Sequence, residues 1–141
     1  MNTELAAAAI IAALGLVQIL LTAIEYRRVH GIAYANTARD APPPQPDSVL
    51  LGRLSRAQAN LMETAPYFIA LALIITVAGS SSSMTRIAAL IFVAARLLYL
   101  PLYAFGTPYV RGLAWTISYG ALIALAAGAL AAINWAYVLQ V

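Results

Sequence analysis

Four long apolar segments, separated by short polar stretches, make up most of the chain. They cover approximately residues 4–26, 48–79, 84–105 and 109–139. A helix that crosses a bilayer needs about 20 predominantly apolar residues, so each segment is long enough to span. The pattern predicts an all-α polytopic membrane protein in which four transmembrane helices form one bundle, with residues 1–141 as a single domain.

A polar stripe runs through the start of the second segment. Arg53, Arg56, Asn60, Glu63 and Tyr67 follow one another at spacings of three, four, three and four residues. On a helix these steps keep all five side chains on one face. A charged side chain that faces hydrocarbon costs about 2.5–3.5 kcal/mol on insertion scales. We therefore expect the stripe to face protein or a wet cavity, where ionisable residues are candidates for a functional site.

The third segment carries a second stripe, Arg96, Tyr99 and Tyr103, at spacings of three and four residues. A short turn joins the two segments, so their helices should be antiparallel neighbours. Counted from that turn, Glu63 and Arg96 lie at depths of ~24 and ~20 Å, which predicts a buried ion pair. This pair could also be only a structural clamp, and Arg53 is expected to snorkel to the interface. Because Glu63 is the only acid expected inside the bundle, the remaining arginines suit an anionic ligand that bears carboxylates.

In the fourth segment, small residues recur every four positions. They are Gly120, Ala124, Gly128 and Ala132. Such a ridge lets two helices approach closely in lipid, so we interpret it as a helix-packing surface.

Composition agrees with a membrane protein and excludes several classes of site. The apolar fraction is 63% and the charged fraction 9%, against about 45–50% and about 25% in soluble domains. The chain has no cysteine and one histidine, His30, so we expect no disulfide, no metal site and no histidine-based triad. The net charge of +3 comes from arginines scattered among the spans, which indicates topology signals and anion ligands and not a nucleic-acid partner.

The distribution of arginines predicts the orientation in the membrane. The first connection, from Arg27 to Arg56, holds five arginines and the third holds Arg111. The positive-inside rule then places the loop 29–47 in the cytoplasm and both termini outside it. Charges follow the first apolar run instead of preceding it, which is typical of a retained span and not of a signal peptide. The composition is compatible with a bacterial inner membrane, and His30 is expected on the exposed side, near a proline-rich loop.

Three parts of the sequence resemble one known family. The run 56–67, RAQANLMETAPY, resembles an Arg-x-x-x-Asn-x-x-Glu signature at the start of that family's second helix. The run 96–103, RLLYLPLY, followed by Arg111, is a second match, and Arg28 beyond the end of the first helix is a weaker one. On these residues the chain is identified as a bacterial member of the MAPEG superfamily, the membrane-associated proteins in eicosanoid and glutathione metabolism.

The resemblance implies a homotrimer that binds glutathione, as co-substrate, in a cleft between adjacent protomers open to the cytoplasm. Glu63 is expected to meet the amino group of the tripeptide, and arginines its carboxylates. Arg111 is the implied catalytic residue, because a cation near the sulfur stabilises the thiolate, which is the nucleophile. A hydrophobic small molecule or lipid would arrive from the bilayer. The implied binding residues are Arg28, Arg56, Asn60, Glu63, Arg96, Tyr99 and Tyr103.

Three function hypotheses follow. The first is a glutathione-dependent membrane transferase, with peroxidase activity as an additional reaction and isomerisation left open. The second is a non-catalytic protein that binds lipid or another ligand on the same scaffold; it is motivated by Gly112, which follows Arg111 where some relatives carry a serine. The third is a small transporter, since one membrane-embedded Glu per protomer can relay protons, although the surplus of arginine argues against a cation path.

Overall fold

Helices account for all the regular structure in the part of the chain, residues 2–133, that the computed structural model describes. Four of them are long and apolar enough to cross a membrane. This confirms the all-α class and the four-span bundle, while the predicted end of the last span at residue 139 lies outside the described residues. The helices are α1 (Thr3–His30), α2 (Ile32–Ala35), α3 (Val49–Val77), α4 (Ser83–Phe105) and α5 (Pro108–Ala131).

The helix ends follow from local capping chemistry. The side chain of Ser48 caps α3, and a capping box between Ser82 and Thr85 begins α4. Gly106 ends α4 in the left-handed conformation, with φ of 76°, a conformation that only glycine adopts without strain. Pro108 opens α5 at a position where its missing N–H is not needed.

The connection 29–47 differs from the sequence prediction in two ways. Helix α1 continues to His30, so Arg28 lies in its last turn and not beyond its end. Gly31, with φ of 81°, then turns the chain into the short helix α2. Part of the predicted loop is therefore helical.

His30 lies in this connection, on the side of the bundle where it was expected, but its side chain is buried. Its ring packs between Tyr26 and Tyr34, with centroid distances of 4.5 and 5.9 Å. Its Nε2 lies 2.9 Å from Oδ1 of Asp47, which comes just before α3. The turn at Gly31 folds α2 back over the end of α1, and this places Tyr34 against the imidazole.

Polar contacts at both ends show that α1 and α3 are antiparallel. At one end, the amide of Asn2 donates a hydrogen bond to the hydroxyl of Thr76 at 2.9 Å. At the other end, the hydroxyl of Ser48 donates to Glu25 at 2.8 Å. Between these ends the core is apolar, and the rings of Phe68 on α3 and Phe92 on α4 stack at 4.2 Å.

Two acids near the ends of α1 are buried, so the expectation that Glu63 is the only acid inside the bundle is wrong. Glu4 is fully buried and accepts hydrogen bonds from Ser81 at 2.8 Å and Thr85 at 2.6 Å. Its carboxylate thus lies at the N-terminus of α4, where the helix dipole favours negative charge. Glu25 is buried against the N-terminus of α3. Both acids turn inward because each meets the start of a neighbouring helix.

Helices α4 and α5 pack tightly at Gly128. A Cβ placed there would lie 2.5 Å from Cγ2 of Thr85, whereas a Cβ at Gly120 would meet nothing within 4 Å. Within one chain, only part of the ridge of small residues therefore makes the close approach that the sequence predicts.

We expect Gly128→Ala to lower the free energy of unfolding by about 1–3 kcal/mol, because the added methyl group must displace Thr85 or move a helix. Gly120→Ala is the matched control and should be neutral or slightly stabilising, since alanine has the higher helix propensity. Unfolding of both variants can be followed in detergent micelles. Equal stability of the two variants would show that the approach at Gly128 is not tight.

Candidate functional site

The polar stripes of α3 and α4 lie against each other. Nε of Arg56 donates a hydrogen bond to the hydroxyl of Tyr103 at 3.2 Å. Four residues further along α3, Oδ1 of Asn60 accepts a hydrogen bond from Nη1 of Arg96 at 2.6 Å. The two stripes therefore meet in the antiparallel arrangement that their spacing predicts.

The predicted ion pair between Glu63 and Arg96 is not formed, since no salt bridge joins them. Arg96 is 1% exposed and lies between the rings of Phe92 and Tyr99, at 5.3 and 5.6 Å. Glu63 is exposed and lines a groove between α3 and α5. The two residues share a depth along their helices but face different neighbours, because Arg96 points into the α3–α4 contact and Glu63 points toward α5.

The side chain of Arg96 is buried inside the contact between α3 and α4. It is too deep to touch a ligand bound outside that contact, so the structure does not make it a ligand-binding residue. Its Nε and Nη2 are buried without a hydrogen-bond partner. Among residues 2–133, the oxygen of Asn60 is its one hydrogen-bond acceptor. By holding that oxygen, Arg96 leaves the amide NH₂ of Asn60 available to donate to something else.

The contact between Arg96 and Asn60 should be energetically coupled. Asn60→Leu removes the acceptor and leaves a buried charge uncompensated, so we expect the free energy of unfolding to fall by about 3 kcal/mol. The double variant Asn60→Leu/Arg96→Met should recover most of that loss, because a buried polar pair replaced by apolar groups of similar volume is close to neutral. Unfolding in detergent of the two single variants and the double variant completes the cycle. Additive losses would contradict the coupling.

The guanidinium groups of Arg56 and Arg111 both lie against the phenol ring of Tyr103. Cζ of Arg111, from α5, lies 4.5 Å from the ring centroid of Tyr103, and Cζ of Arg56 lies 5.9 Å from it. Tyr99 packs beside Tyr103 at 5.4 Å. Neither arginine forms a salt bridge within the described part of the chain. The cluster therefore holds positive charge that cation–π contacts only partly offset.

A cleft of about 360 Å³ opens beside this cluster. It is lined by Asn60, Tyr99, Arg111, Gly112 and Trp115. It provides an amide, a phenol and a guanidinium, and so matches a small polar anion.

A larger groove of about 640 Å³ adjoins the cleft at Trp115, which lines both. Trp115 stacks on Tyr119 at 5.3 Å and nearly parallel. Neither aromatic residue belongs to the stripes that the sequence predicts. Arg111, Trp115 and Tyr119 follow one another at intervals of four, so helical spacing was the signal that could have found them. The groove is lined by Glu63, Thr64, Tyr67, Ala70, Leu71, Trp115, Tyr119, Leu122, Ile123 and Ala126.

Two of the predicted residues lie elsewhere. Arg28 forms a two-pronged salt bridge with Glu25, with both N–O distances 2.7 Å, and does not line either cavity. Arg53, expected to snorkel, instead donates a hydrogen bond to the carbonyl of Ala104 at 3.1 Å. That carbonyl belongs to the last turn of α4, so Arg53 satisfies a helix end.

Chemically, the arrangement can hold a small anion and stabilise a developing negative charge beside an apolar groove. The sequence profile of the MAPEG family matches residues 5–131, nearly the whole chain. No curated protein matches the sequence.

Proposed function

Because the chain belongs to the MAPEG family, we propose that it is a membrane transferase that adds the thiolate of glutathione to hydrophobic electrophiles. Membership supports a general role in membrane-associated eicosanoid or glutathione metabolism, and four apolar helices make the chain an integral membrane protein. One observation carries the specific proposal. Arg56 and Arg111 flank Tyr103 beside a cleft lined by Asn60, and no carboxylate of the described chain pairs with either arginine.

The chemistry of glutathione complements these residues. At neutral pH the tripeptide carries two carboxylates, an ammonium group and a thiol. A guanidinium binds a carboxylate with two parallel hydrogen bonds, which suits Arg56. Glu63, exposed in the adjoining groove and without a salt bridge to residues 2–133, would meet the ammonium. The amide of Asn60 and the hydroxyls of Tyr99 and Tyr103 would bind peptide groups.

Arg111 would supply the catalytic charge. A nearby cation lowers the pKa of a thiol, and the thiolate is the attacking species. In the proposed step the thiolate forms a C–S bond with an electrophilic carbon. The electron pair of the broken bond goes to the leaving group, or to an adjacent atom that then takes a proton. Attack on a peroxide oxygen would use the same thiolate, with a second glutathione as reductant.

The groove beside the cleft supports an apolar co-substrate. Its walls are almost entirely apolar or aromatic, and they are formed by the two membrane-spanning helices α3 and α5. An electrophile dissolved in the bilayer could therefore enter from the side and bring its reactive carbon to Trp115, where the groove and the cleft adjoin.

We propose that the active form is a homotrimer with glutathione between protomers. One observation supports this. Arg28 does not reach the cleft of its own chain, so only a neighbour's Arg28 could contribute there. The arginine-rich end would face the cytoplasm and both termini would lie outside it, as expected for a bacterial inner membrane protein.

A non-catalytic binding protein is the second candidate, and Gly112 favours it. A Cβ at Gly112 would meet nothing within 4 Å, so the position beside Arg111 has space for a serine but carries no hydroxyl group. On this alternative the cleft binds glutathione or another anionic ligand without activating it.

Glutathione conjugation by the purified protein in detergent separates the two candidates. The transferase should form a thioether from glutathione and a generic aryl halide faster than the uncatalysed reaction. Binding of glutathione without turnover over a broad panel of electrophiles would favour the non-catalytic protein. Absence of glutathione binding would overturn the transferase and would leave the second candidate only with another anionic ligand.

A further inference from the structure

A buried polar cluster joins helices at the end of the bundle opposite the cleft. Its centre is Glu4, in the first turn of α1, which is 0% exposed. Oε1 of Glu4 accepts hydrogen bonds from the hydroxyls of Ser81 and Thr85, at 2.8 and 2.6 Å. Two residues before Glu4, the amide of Asn2 bonds to Thr76 and joins α1 to α3. None of these residues lines the cleft or the groove of the proposed function.

Thr85 links the carboxylate of Glu4 to the start of α4 and to α5. Its hydroxyl donates to Glu4 and accepts a hydrogen bond from the N–H of Ser82 at 2.9 Å, as part of the capping box of α4. Its methyl group faces α5, where a Cβ at Gly128 would lie 2.5 Å from it. A change at the carboxylate therefore acts, through one side chain, on the cap of α4 and on the contact between α4 and α5.

The surroundings of Glu4 favour its ionised form. The carboxylate lies at two helix N-termini, in the first turn of α1 and against the cap of α4, where the helix dipoles favour negative charge. Two hydroxyl groups donate to it, and the positive side chain of Arg86, next to Thr85 on α4, acts on it electrostatically. No other charged side chain of α1, α3 or α5 within residues 2–133 lies near this end of the bundle.

The second oxygen of the carboxylate is the place where a proton can be added. Oε2 of Glu4 is buried without a hydrogen-bond partner in the described part of the chain, whereas Oε1 is occupied by two donors. A proton on Oε2 would leave a buried O–H without an acceptor, which costs free energy. It would also remove the attraction to both helix N-termini and to Arg86, and would turn the two charge-assisted hydrogen bonds into weaker neutral ones.

We propose that Glu4, Ser81 and Thr85 form a pH-sensitive latch, which holds α1 against the start of α4 while the carboxylate is ionised and loosens when it is protonated. The stability that the latch contributes is present at neutral pH and is lost as the pH falls. The latch lies at the end of the bundle that carries the start of α1, so it responds to acid on that side of the membrane. It does not depend on the proposed glutathione cleft, which lies at the other end.

The test measures thermal unfolding of the full-length protein in detergent micelles between pH 7 and pH 4. Glu4→Gln keeps the shape of the side chain but carries no titratable group, so it should be less stable than the unsubstituted protein at pH 7 and equally stable at pH 4. We expect the unfolding midpoint of the unsubstituted protein to fall by about 3–8 °C more than that of Glu4→Gln over this range. Asp40→Asn, which removes an exposed acid at the opposite end, is the control and should keep the full fall. Parallel falls in the unsubstituted protein and Glu4→Gln would overturn the latch.

Ser81→Ala tests the latch without changing the carboxylate. Ser81 is exposed, so its substitution should preserve the fold even if Glu4→Gln does not fold. The variant removes one donor to the ionised form, and its unfolding midpoint should therefore fall less between pH 7 and pH 4 than that of the unsubstituted protein. A fall as large as that of the unsubstituted protein would overturn the role of the hydroxyl donors.

A local probe separates the opening of the latch from a general loss of stability. The chain has no cysteine, so a spin label can be attached at Ser83→Cys, in the first turn of α4, and at Ser55→Cys, an exposed control position at the opposite end. At pH 4, below the unfolding midpoint, the label at position 83 should become more mobile, whereas the label at position 55 should not change. Combined with Glu4→Gln, the label at position 83 should show the same mobility at both pH values. Unchanged mobility at position 83 of the otherwise unsubstituted protein, or equal changes at both positions, would overturn a local latch.

Discussion

Arg111→Ala should reduce the rate of glutathione conjugation at saturating substrate by about 100-fold, the effect of removing one electrostatic contact to a developing anion. The dissociation constant of glutathione should change little, because we propose that other residues hold the remainder of the tripeptide. The measurements are steady-state conjugation to an aryl halide and calorimetric titration with glutathione. Arg86→Ala, which removes an arginine far from the cleft, is the control and should keep full activity.

The pH dependence of this variant has a definite sign. If Arg111 stabilises the thiolate as proposed, it lowers the pKa of bound glutathione, and its removal should raise that pKa toward the ordinary thiol value of about 8.5. The rise of activity with pH should therefore move to higher pH in Arg111→Ala. Full activity with an unchanged pH profile would exclude the role assigned to Arg111 and would leave the cleft without a thiolate-stabilising cation from α5.

Glu63→Gln should weaken glutathione binding by about 10- to 100-fold. The substitution preserves shape but replaces a charge-assisted hydrogen bond to the ammonium, worth about 1.5–3 kcal/mol, with a neutral one. Glu63 is exposed and makes no salt bridge to residues 2–133, so folding should not be affected. Asp40→Asn, an exposed acid of the connection between α2 and α3, is the control with the same loss of charge.

A ligand lacking the amino group shows whether Glu63 acts on that group. Glutarylcysteinylglycine is glutathione without the amine, and it should bind the unsubstituted protein more weakly than glutathione does. In Glu63→Gln the two ligands should bind almost equally, because the partner of the amine is already gone. If Glu63→Gln weakens the binding of both ligands by the same factor, Glu63 does not contact the ammonium.

The helices and the meeting of the two stripes could be predicted because both depend on local pattern. Apolar runs of spanning length define the helices, and a short turn forces α3 and α4 to be antiparallel. Which side chains pair with each other where α3 meets α4 could not be predicted. Depth along a helix does not determine the direction of a side chain around it, so Glu63 and Arg96 share a level while Arg96 bonds to Asn60.

The rest of the site depends on contacts between elements distant in sequence. Trp115 lines the cleft and the groove only because α5 packs beside α3. The sequence shows its four-residue spacing from Arg111 but not that packing. Arg28 was identified from the resemblance alone, and nothing local showed that Glu25 would pair with it. The burial of His30 depends on the turn at Gly31. Nothing in the sequence of this connection showed that Gly31 would adopt a positive φ.

We propose that Arg56, Asn60 and Glu63 bind glutathione between protomers, with the sulfur beside Arg111. A structure of the protein determined with saturating glutathione would test this placement. We expect three equivalent sites per trimer, each with density for the tripeptide against these side chains. Side chains of Arg56, Asn60 and Glu63 directed at lipid, with no ligand density beside them, would contradict it.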